Sequence, residues 1–439
     1  MKKLIISLLL LLPFLLSAQE GMKSLIRAGK LFNSESGKFQ SDMAIVVSSG
    51  KIEIVIPYRE LSEKEKKDCK LIDLSSYTIL PGLIDAHTHL LNKETIIPNN
   101  TLDGLDMMKT LTMYGDSYRA IYGAVKSKGY LEAGITSVQD LGNSGQFADI
   151  ALRKAINEGL IIGPRMRCAG QGLSSEGGQM PDVIYKHRNI INDEYRIVLG
   201  VADAVQAVRE NITQGADVIK IYSNNTPNVT ALSVEEMQAI VKESHRYGIK
   251  VTAHATDNKA IYNAVISGVD GIEHGYQVDD TTLVLMAKKG IPLVPTDCDR
   301  FGFVRSLKLA GYTTADTNKI IDKTNNYMAK HGDRLLRAIK YGVPIVFGSD
   351  DYIELDLPFA EPSVRTLIAY AEMGMAVPEI LKAATINAAR HLNWGDRLGV
   401  IKAGYLADII AVDNDLEKNI NAIMKIHFVM KGGKVYVNN

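Results

Sequence analysis

Seven times along the chain an amphipathic stretch ends at a glycine and a short β-rich run follows at once; the glycines are Gly134, Gly163, Gly215, Gly248, Gly268, Gly290 and Gly342. Glycine just beyond a helix takes the left-handed conformation at no steric cost, so each of these positions reads as a helix end. The runs that follow cover 136–139, 165–169, 217–221, 250–253, 271–273, 292–295 and 344–347, and an earlier run at 78–85 brings the count to eight. Strands that alternate with helices imply a parallel sheet. Eight such units in some 300 residues predict an α/β fold of the TIM (β/α)8 barrel type, with an open doubly wound sheet as the alternative. The helical stretches agree: 202–213 and Val234–Arg246 carry apolar residues at i, i+3/i+4 spacing, and Ser233 with Glu236 forms a capping-box pattern ahead of the second.

The two ends follow a different pattern. Segment 24–57 alternates apolar and polar residues over short runs, 60–69 is charged, and 407–412 and 427–437 read as strands separated by the turn-like Asn414-Asp415. These flanks predict a small β-sandwich domain built from both chain ends, residues 19–77 and 398–439, around a barrel of residues 78–397. The first 18 residues read as a signal peptide: Lys2 and Lys3, an apolar run from 4 to 16, then Leu16-Ser17-Ala18 before a cleavage point at Gln19. That run is too short for a comfortable membrane span. The expectation is an exported, periplasmic protein whose mature chain does not cross a membrane, and a homo-oligomer is compatible with it. Equal numbers of basic and acidic residues, 50 of each, argue against a nucleic-acid partner. Three cysteines, Cys69, Cys168 and Cys298, cannot make a disulfide framework and read as small buried hydrophobes.

In a barrel of parallel strands, functional groups gather at the strands' carboxyl ends. The first strand runs out in Asp85-Ala86-His87-Thr88-His89, and residues i and i+2 of a strand point the same way, so His87 and His89 offer two imidazoles to one point. The fourth strand holds Lys220 within an apolar run, the fifth ends at His254, the sixth at His274 and the eighth at Asp350. Each has a bland reading: a core histidine for His254, a helix cap for Asp350, a snorkelling side chain for Lys220. Coincidence weakens that set, because six such groups fall at the same end of five different strands. His187, His245, His331, His391 and His427 lie elsewhere and read as structural or solvated.

These residues, together with Ala384-Thr385-Ile386-Asn387-Ala388-Ala389-Arg390 and 399–408, resemble the metal-dependent amidohydrolase superfamily, and within it the imidazolonepropionase-like and Xaa-Pro-dipeptidase-like members. The resemblance implies hydrolysis of an amide-type C–N bond in a small molecule: a dipeptide, an N-acyl amino acid or a cyclic amide. A Xaa-Pro dipeptidase-like peptidase is the narrower alternative, and a non-catalytic metal-containing ligand-binding protein is the alternative of another class. It further implies two divalent metals, zinc by ligand type. His87 and His89 would serve the more buried ion, His254 and His274 the second. Lys220 would be carboxylated and shared by both. Asp350 would be a ligand of the first ion and the proton acceptor and donor. Tyr222, two residues after Lys220, would face the cavity as an oxyanion stabiliser or as a pocket wall. Arg188, Arg300 and Arg305 are candidates to clamp a substrate carboxylate, and the Gly-rich 174–180 is a substrate loop or an ordinary turn. Three departures from the family pattern fall near the expected pocket: Ser223-Asn224-Asn225-Thr226-Pro227 where a glycine pair is usual, Gln179 where a histidine is frequent, and Ala255-Thr256-Asp257 in place of a second histidine.

Overall fold

The computed structural model describes residues 22–98, 107–180 and 183–439. The expected signal peptide and its cleavage point lie outside the described residues. Among those described, no helix is long and apolar enough to cross a membrane.

Both chain ends meet in one seven-stranded sheet, ordered Lys434–Asn438, Ile426–Lys431, Ile409–Asp413, Cys69–Pro81, Lys23–Asn33, Lys38–Ser48 and Lys51–Pro57. Neighbouring residues of its inner strands are buried on opposite faces. Ile26, Ile45, Ile79, Ile409 and Phe428 pack in one cluster, while Leu25, Ala44 and Val46 pack with Leu61 in another. The expected strand over 427–437 is two strands, Ile426–Lys431 and Lys434–Asn438, joined by a turn at Gly432-Gly433, both with positive φ.

The remaining strands are parallel and fall into two sheets. One is ordered Leu83–Thr88, Ile135–Asp140, Arg165–Cys168; the other Leu293–Val294, Gly271–His274, Lys250–Ala255, Val218–Tyr222, Gly172–Ser174, Tyr195–Ile197. Backbone bonds join the two at both edges. Ala86 N donates to Phe347 O and Val346 N to Leu293 O on one side, and Asp217 N donates to Cys168 O on the other. Helices such as Val201–Gln214 and Val234–Arg246 connect the strands and press Ala204, Val208, Met237 and Ile240 against them, all fully buried. The Ser233–Glu236 capping box forms in both directions. Six of the seven punctuating glycines have positive φ; Gly163 does not, and it is small because an added Cβ would stand 2.6 Å from Ile156 Cδ1.

Three expectations need correction. The first strand does not run through 78–85: the chain leaves the terminal sheet at Pro81 and enters the parallel one at Leu83. Gly82 is the pivot, and a Cβ there would lie 2.2 Å from Thr136 Oγ1. The seventh and eighth runs shrink to Leu293–Val294 and a single bridge at Ile345, because Pro292, Pro295 and Pro344 have no N–H for a ladder. Of the three cysteines, all free, only Cys168 is fully buried.

Candidate metal centre and active site

The candidate side chains stand in, at or just beyond the carboxyl ends of the parallel strands, with Asp350 in the segment beyond the Ile345 bridge, and at two of them the backbone is unusual. His274 and Asp350 hold φ values of 68° and 56°. Non-glycine residues seldom stay in that region unless the surroundings over-determine them, and such residues concentrate at functional sites. Here Arg334 donates to His274 O from its buried guanidinium, and Asp350 N donates to His87 O at 2.8 Å. Gly348 lets the last segment close on the first strand: a Cβ would lie 2.8 Å from His87 Cβ and 2.3 Å from Val294 Cγ1.

The hydrogen bonds assign the ring protons. His87 Nδ1 lies 2.6 Å from Glu273 Oε2, and His89 Nδ1 lies 2.8 Å from Gly142 O, so in both rings Nδ1 carries the proton. Thr296 gives its one hydroxyl proton to Pro295 O and therefore accepts from His274 Nδ1, 2.8 Å away. In their neutral forms all three rings keep Nε2 as a lone pair. This is the arrangement by which outer partners orient metal-ligating histidines.

Two of those lone pairs converge. His87 Nε2 and His89 Nε2 are 3.3 Å apart, and Asp350 Oδ1 lies 3.3 Å and 3.0 Å from them. Three acceptors on so small a triangle repel one another unless a cation sits among them. The spacing suits one: nitrogens about 2.05 Å from a zinc ion at the tetrahedral angle are about 3.3 Å apart. His274 completes a group with His87 and Asp350 whose ligand atoms lie within 4.8 Å of one another. Lys220 Nζ stands 3.5 Å from His87 Nε2 and is buried. Burial pushes its amine below the ordinary lysine range, against the pull of Glu273 and Asp350. Burial likewise holds His87, His254 and His274 well below the usual imidazole value, in the neutral form a metal requires. For Asp350 burial acts upward, but His87, His89 and Lys220 outweigh it and keep the carboxyl below its usual range.

His254 joins by ring contact, its centroid 4.6 Å from that of His274, while its Nε2 accepts from the Gln179 side-chain amide at 2.8 Å. Gln179 therefore stands in front of that nitrogen. The loop that carries it is a fixed turn: Asn228 Nδ2 donates to the carbonyls of Gly177, Gly178 and Met180. Tyr222 lines the same cavity, and its hydroxyl donates to Asn143 Oδ1 at 3.0 Å. All six ligand candidates open onto this cavity of about 360 Å³. A larger one, about 520 Å³, lies at the opposite ends of the strands, lined by Lys250, Asp270, Pro292 and His391, without a converging ligand set.

The proposed arginine clamps are elsewhere. Arg188 stacks on Tyr185, Arg300 bonds to Asn325, and Arg305 holds the carbonyls of Leu355 and Asp356. Two residues that shape the centre escaped the sequence reading. Glu273 anchors His87, and the available signal was a charge inside a buried strand. Tyr276, whose hydroxyl is 3.4 Å from His274 Nδ1, lies two residues beyond the end of the sixth strand. Glu273→Gln is expected to lower metal affinity about 10- to 100-fold at unchanged circular dichroism, as measured by competition with a chromophoric chelator. Unaltered affinity would leave Glu273 without a role in orienting His87.

The chain matches the amidohydrolase family over residues 78–436. It is 28% identical to an ochratoxinase from Aspergillus niger over 449 aligned positions, covering 96% of this chain and 88% of that protein. An imidazolonepropionase from Thermoanaerobacter pseudethanolicus is 23% identical, with 80% of this chain and 79% of the relative covered. Among solved structures, a Xaa-Pro dipeptidase with methionine in its active site superposes with a TM-score of 0.79 at 28% identity, over 95% of this chain and all of the other. A prolidase complexed with N-methylphosphonate-L-proline gives 0.79 at 26% identity with the same coverage.

Proposed function

The chain belongs to the amidohydrolase family, and on that premise we propose that it is a metal-dependent hydrolase of an amide-type C–N bond in a small molecule: a dipeptide, an N-acyl amino acid or a cyclic amide. The observation that carries this is the triangle of His87 Nε2, His89 Nε2 and Asp350 Oδ1, three buried or half-buried ligand atoms 3.0 to 3.3 Å apart. On this reading the parallel strands form one (β/α)8 barrel over 78–397, beside a composite β-sandwich of 19–77 and 398–439.

His87, His89 and Asp350 would hold one divalent ion, zinc by ligand type, and His254 and His274 a second, with Lys220 as a carboxylated ligand to both. When bound, such an ion lowers the pKa of a water to about 7 and polarises the carbonyl under attack. The chain's own contribution is proton transfer and placement. Asp350 engages the two histidines through Oδ1 and keeps Oδ2 toward the cavity, 3.9 Å from His274 Nδ1. Oδ2 takes the proton of the attacking water and returns it to the leaving nitrogen, so that the amine departs neutral. Tyr222 spends its hydroxyl proton on Asn143, which favours the wall over the oxyanion role. Tyr276, on the opposite side of His274, is the better-placed hydroxyl for a developing oxyanion.

The test is a panel of dipeptides, N-acyl amino acids and lactams assayed with and without added zinc, on wild type and Lys220→Ala. Metal-dependent turnover of at least one member is expected, with Lys220→Ala inactive and partly restored by short carboxylic acids. Silence across the whole panel would favour the ligand-binding alternative. Full activity of Lys220→Ala would remove the lysine from the ligand set.

A further inference from the structure

On the wall of the cavity formed by the chain just beyond His89 stand two side chains that the metal centre does not use. Glu94 is 2% exposed and Asn92 is 1% exposed, and both line the cavity. Asn92 Nδ2 donates to Glu94 Oε1 at 2.7 Å. Asn92 Oδ1 is then a buried acceptor without a partner. Glu94 has no ion-pair partner among the described residues. The nearby guanidinium of Arg119 is spent on Glu194, held at 2.9 Å through both oxygens, and on the carbonyls of Leu91 and Asn143.

Charge does not balance there. Two buried acids, Glu94 and Glu194, face one buried guanidinium, that of Arg119, together with the His89 imidazole, which also draws the Glu94 pKa down. Burial, aided by the charge of Glu194, outweighs the Asn92 bond and pushes the Glu94 carboxyl up to about 7, the mark of a carboxylate that lacks a cation. An unpaired buried acid beside an unpaired buried carbonyl is costly in a protein that gains nothing from it.

The position is also tied to the chemistry. Glu94 N donates to Tyr352 O at 3.1 Å and Glu94 O accepts from Glu354 N at 2.8 Å, so Glu94 is held edge to edge with the segment that carries Asp350. In an aminoacyl substrate the α-nitrogen is two bonds from the scissile carbonyl, so its recognition group must stand on a wall that adjoins the metal ligands. An ammonium offers three donors, and this wall offers two unfilled acceptors, one of them charged. No arginine lines the described cavity, so it lacks the bidentate fork that a guanidinium would offer a carboxylate at the opposite end.

We infer that Glu94 and Asn92 form a subsite for a protonated α-amino group, and that the substrates are aminoacyl amides or dipeptides with a free amino terminus. This rests on the hydrolase reading for the word substrate, but the subsite itself is testable by binding. Zinc-loaded protein is titrated calorimetrically with L-methionine and with its desamino analogue, which keeps the carboxylate and thioether and lacks the nitrogen. The analogue is expected to bind roughly ten- to a hundredfold more weakly, the worth of a hydrogen bond to a charged group. Glu94→Gln should narrow that gap. Equal binding of the two ligands by the wild type, or binding of neither, overturns the subsite whatever the variant does. Discrimination by binding alongside a silent hydrolysis panel would leave the subsite standing and fail the hydrolase reading alone. Turnover that is indifferent to N-acetylation would do the reverse.

Discussion

Asp350→Asn should reduce kcat/KM by about a thousandfold or more while the protein remains folded and still holds metal. The amide keeps the shape of the carboxylate and a single oxygen with which to face His87 Nε2 and His89 Nε2, 3.3 Å and 3.0 Å away in the wild type. It loses the capacity to take a proton at the second oxygen. General acid–base catalysis contributes typically 10² to 10⁴ in rate, and here one group serves both halves of the reaction. The diagnostic is the combination of readouts. A variant that loses turnover but retains its zinc stoichiometry by elemental analysis has lost the proton shuttle. One that loses both has lost a ligand, and retention of most of the activity would transfer the role to another residue. The left-handed backbone at Asp350 is favourable to the substitution, because asparagine tolerates φ near +56° as readily as aspartate does.

His87, His89, Lys220, His254, His274 and Asp350 were all legible in the sequence because each sits where a local rule applies: i, i+2 alternation on an extended strand, or a place in or at the end of a short run that follows a glycine. What could not be read is where the backbone departs from such rules. Glu273 and His274 are consecutive, and on a regular strand they would point to opposite faces. Both nevertheless reach the centre, Glu273 behind His87 and His274 beside Asp350, because His274 turns through a left-handed conformation. No residue type announces such a turn when the residue is not glycine. The same holds for Gly82. The apolar continuity of Thr78 through Asp85 reads as one strand, and only the terminal sheet's pairing of Pro81 with Ile409 reveals the break. The arginine candidates failed for a different reason: loop position is a poor guide to where a long side chain finds its acceptors, and Arg305 found the carbonyls of its own rim. The buried Arg119–Glu194 pair and the unpaired Glu94 depend on contacts 28 to 75 residues apart in the chain, beyond the reach of any periodicity.

Removing the cation should abolish turnover and lower the melting temperature by about 5 °C. A ligand that binds only the folded state stabilises it by about 4 kcal/mol at a thousandfold excess over Kd, and a chain of this length unfolds with an entropy near 0.9 kcal/mol/K. The physical source is the triangle itself. Without a cation, two imidazole lone pairs and a carboxylate oxygen face one another at 3.0 to 3.3 Å, and the folded state must take up a proton there or bear the repulsion. The direction with pH follows. Burial holds His87, His254 and His274 well below the ordinary imidazole value of 6.5, so below that pH the unfolded chain binds more protons than the folded one, and stability is lost as pH falls. His89 has the opposite sign: burial lowers it, but its bond to Asp350 outweighs burial and raises it, which offsets one of the three. The chelated protein should therefore melt progressively earlier below about pH 6.5, and the zinc-loaded protein should resist the same acidification until the ion is released. Scanning calorimetry of both forms across that range is the measurement. Superimposable curves with and without chelator would mean that the three acceptors find relief without a cation, and the assignment of a metal centre to them would fall.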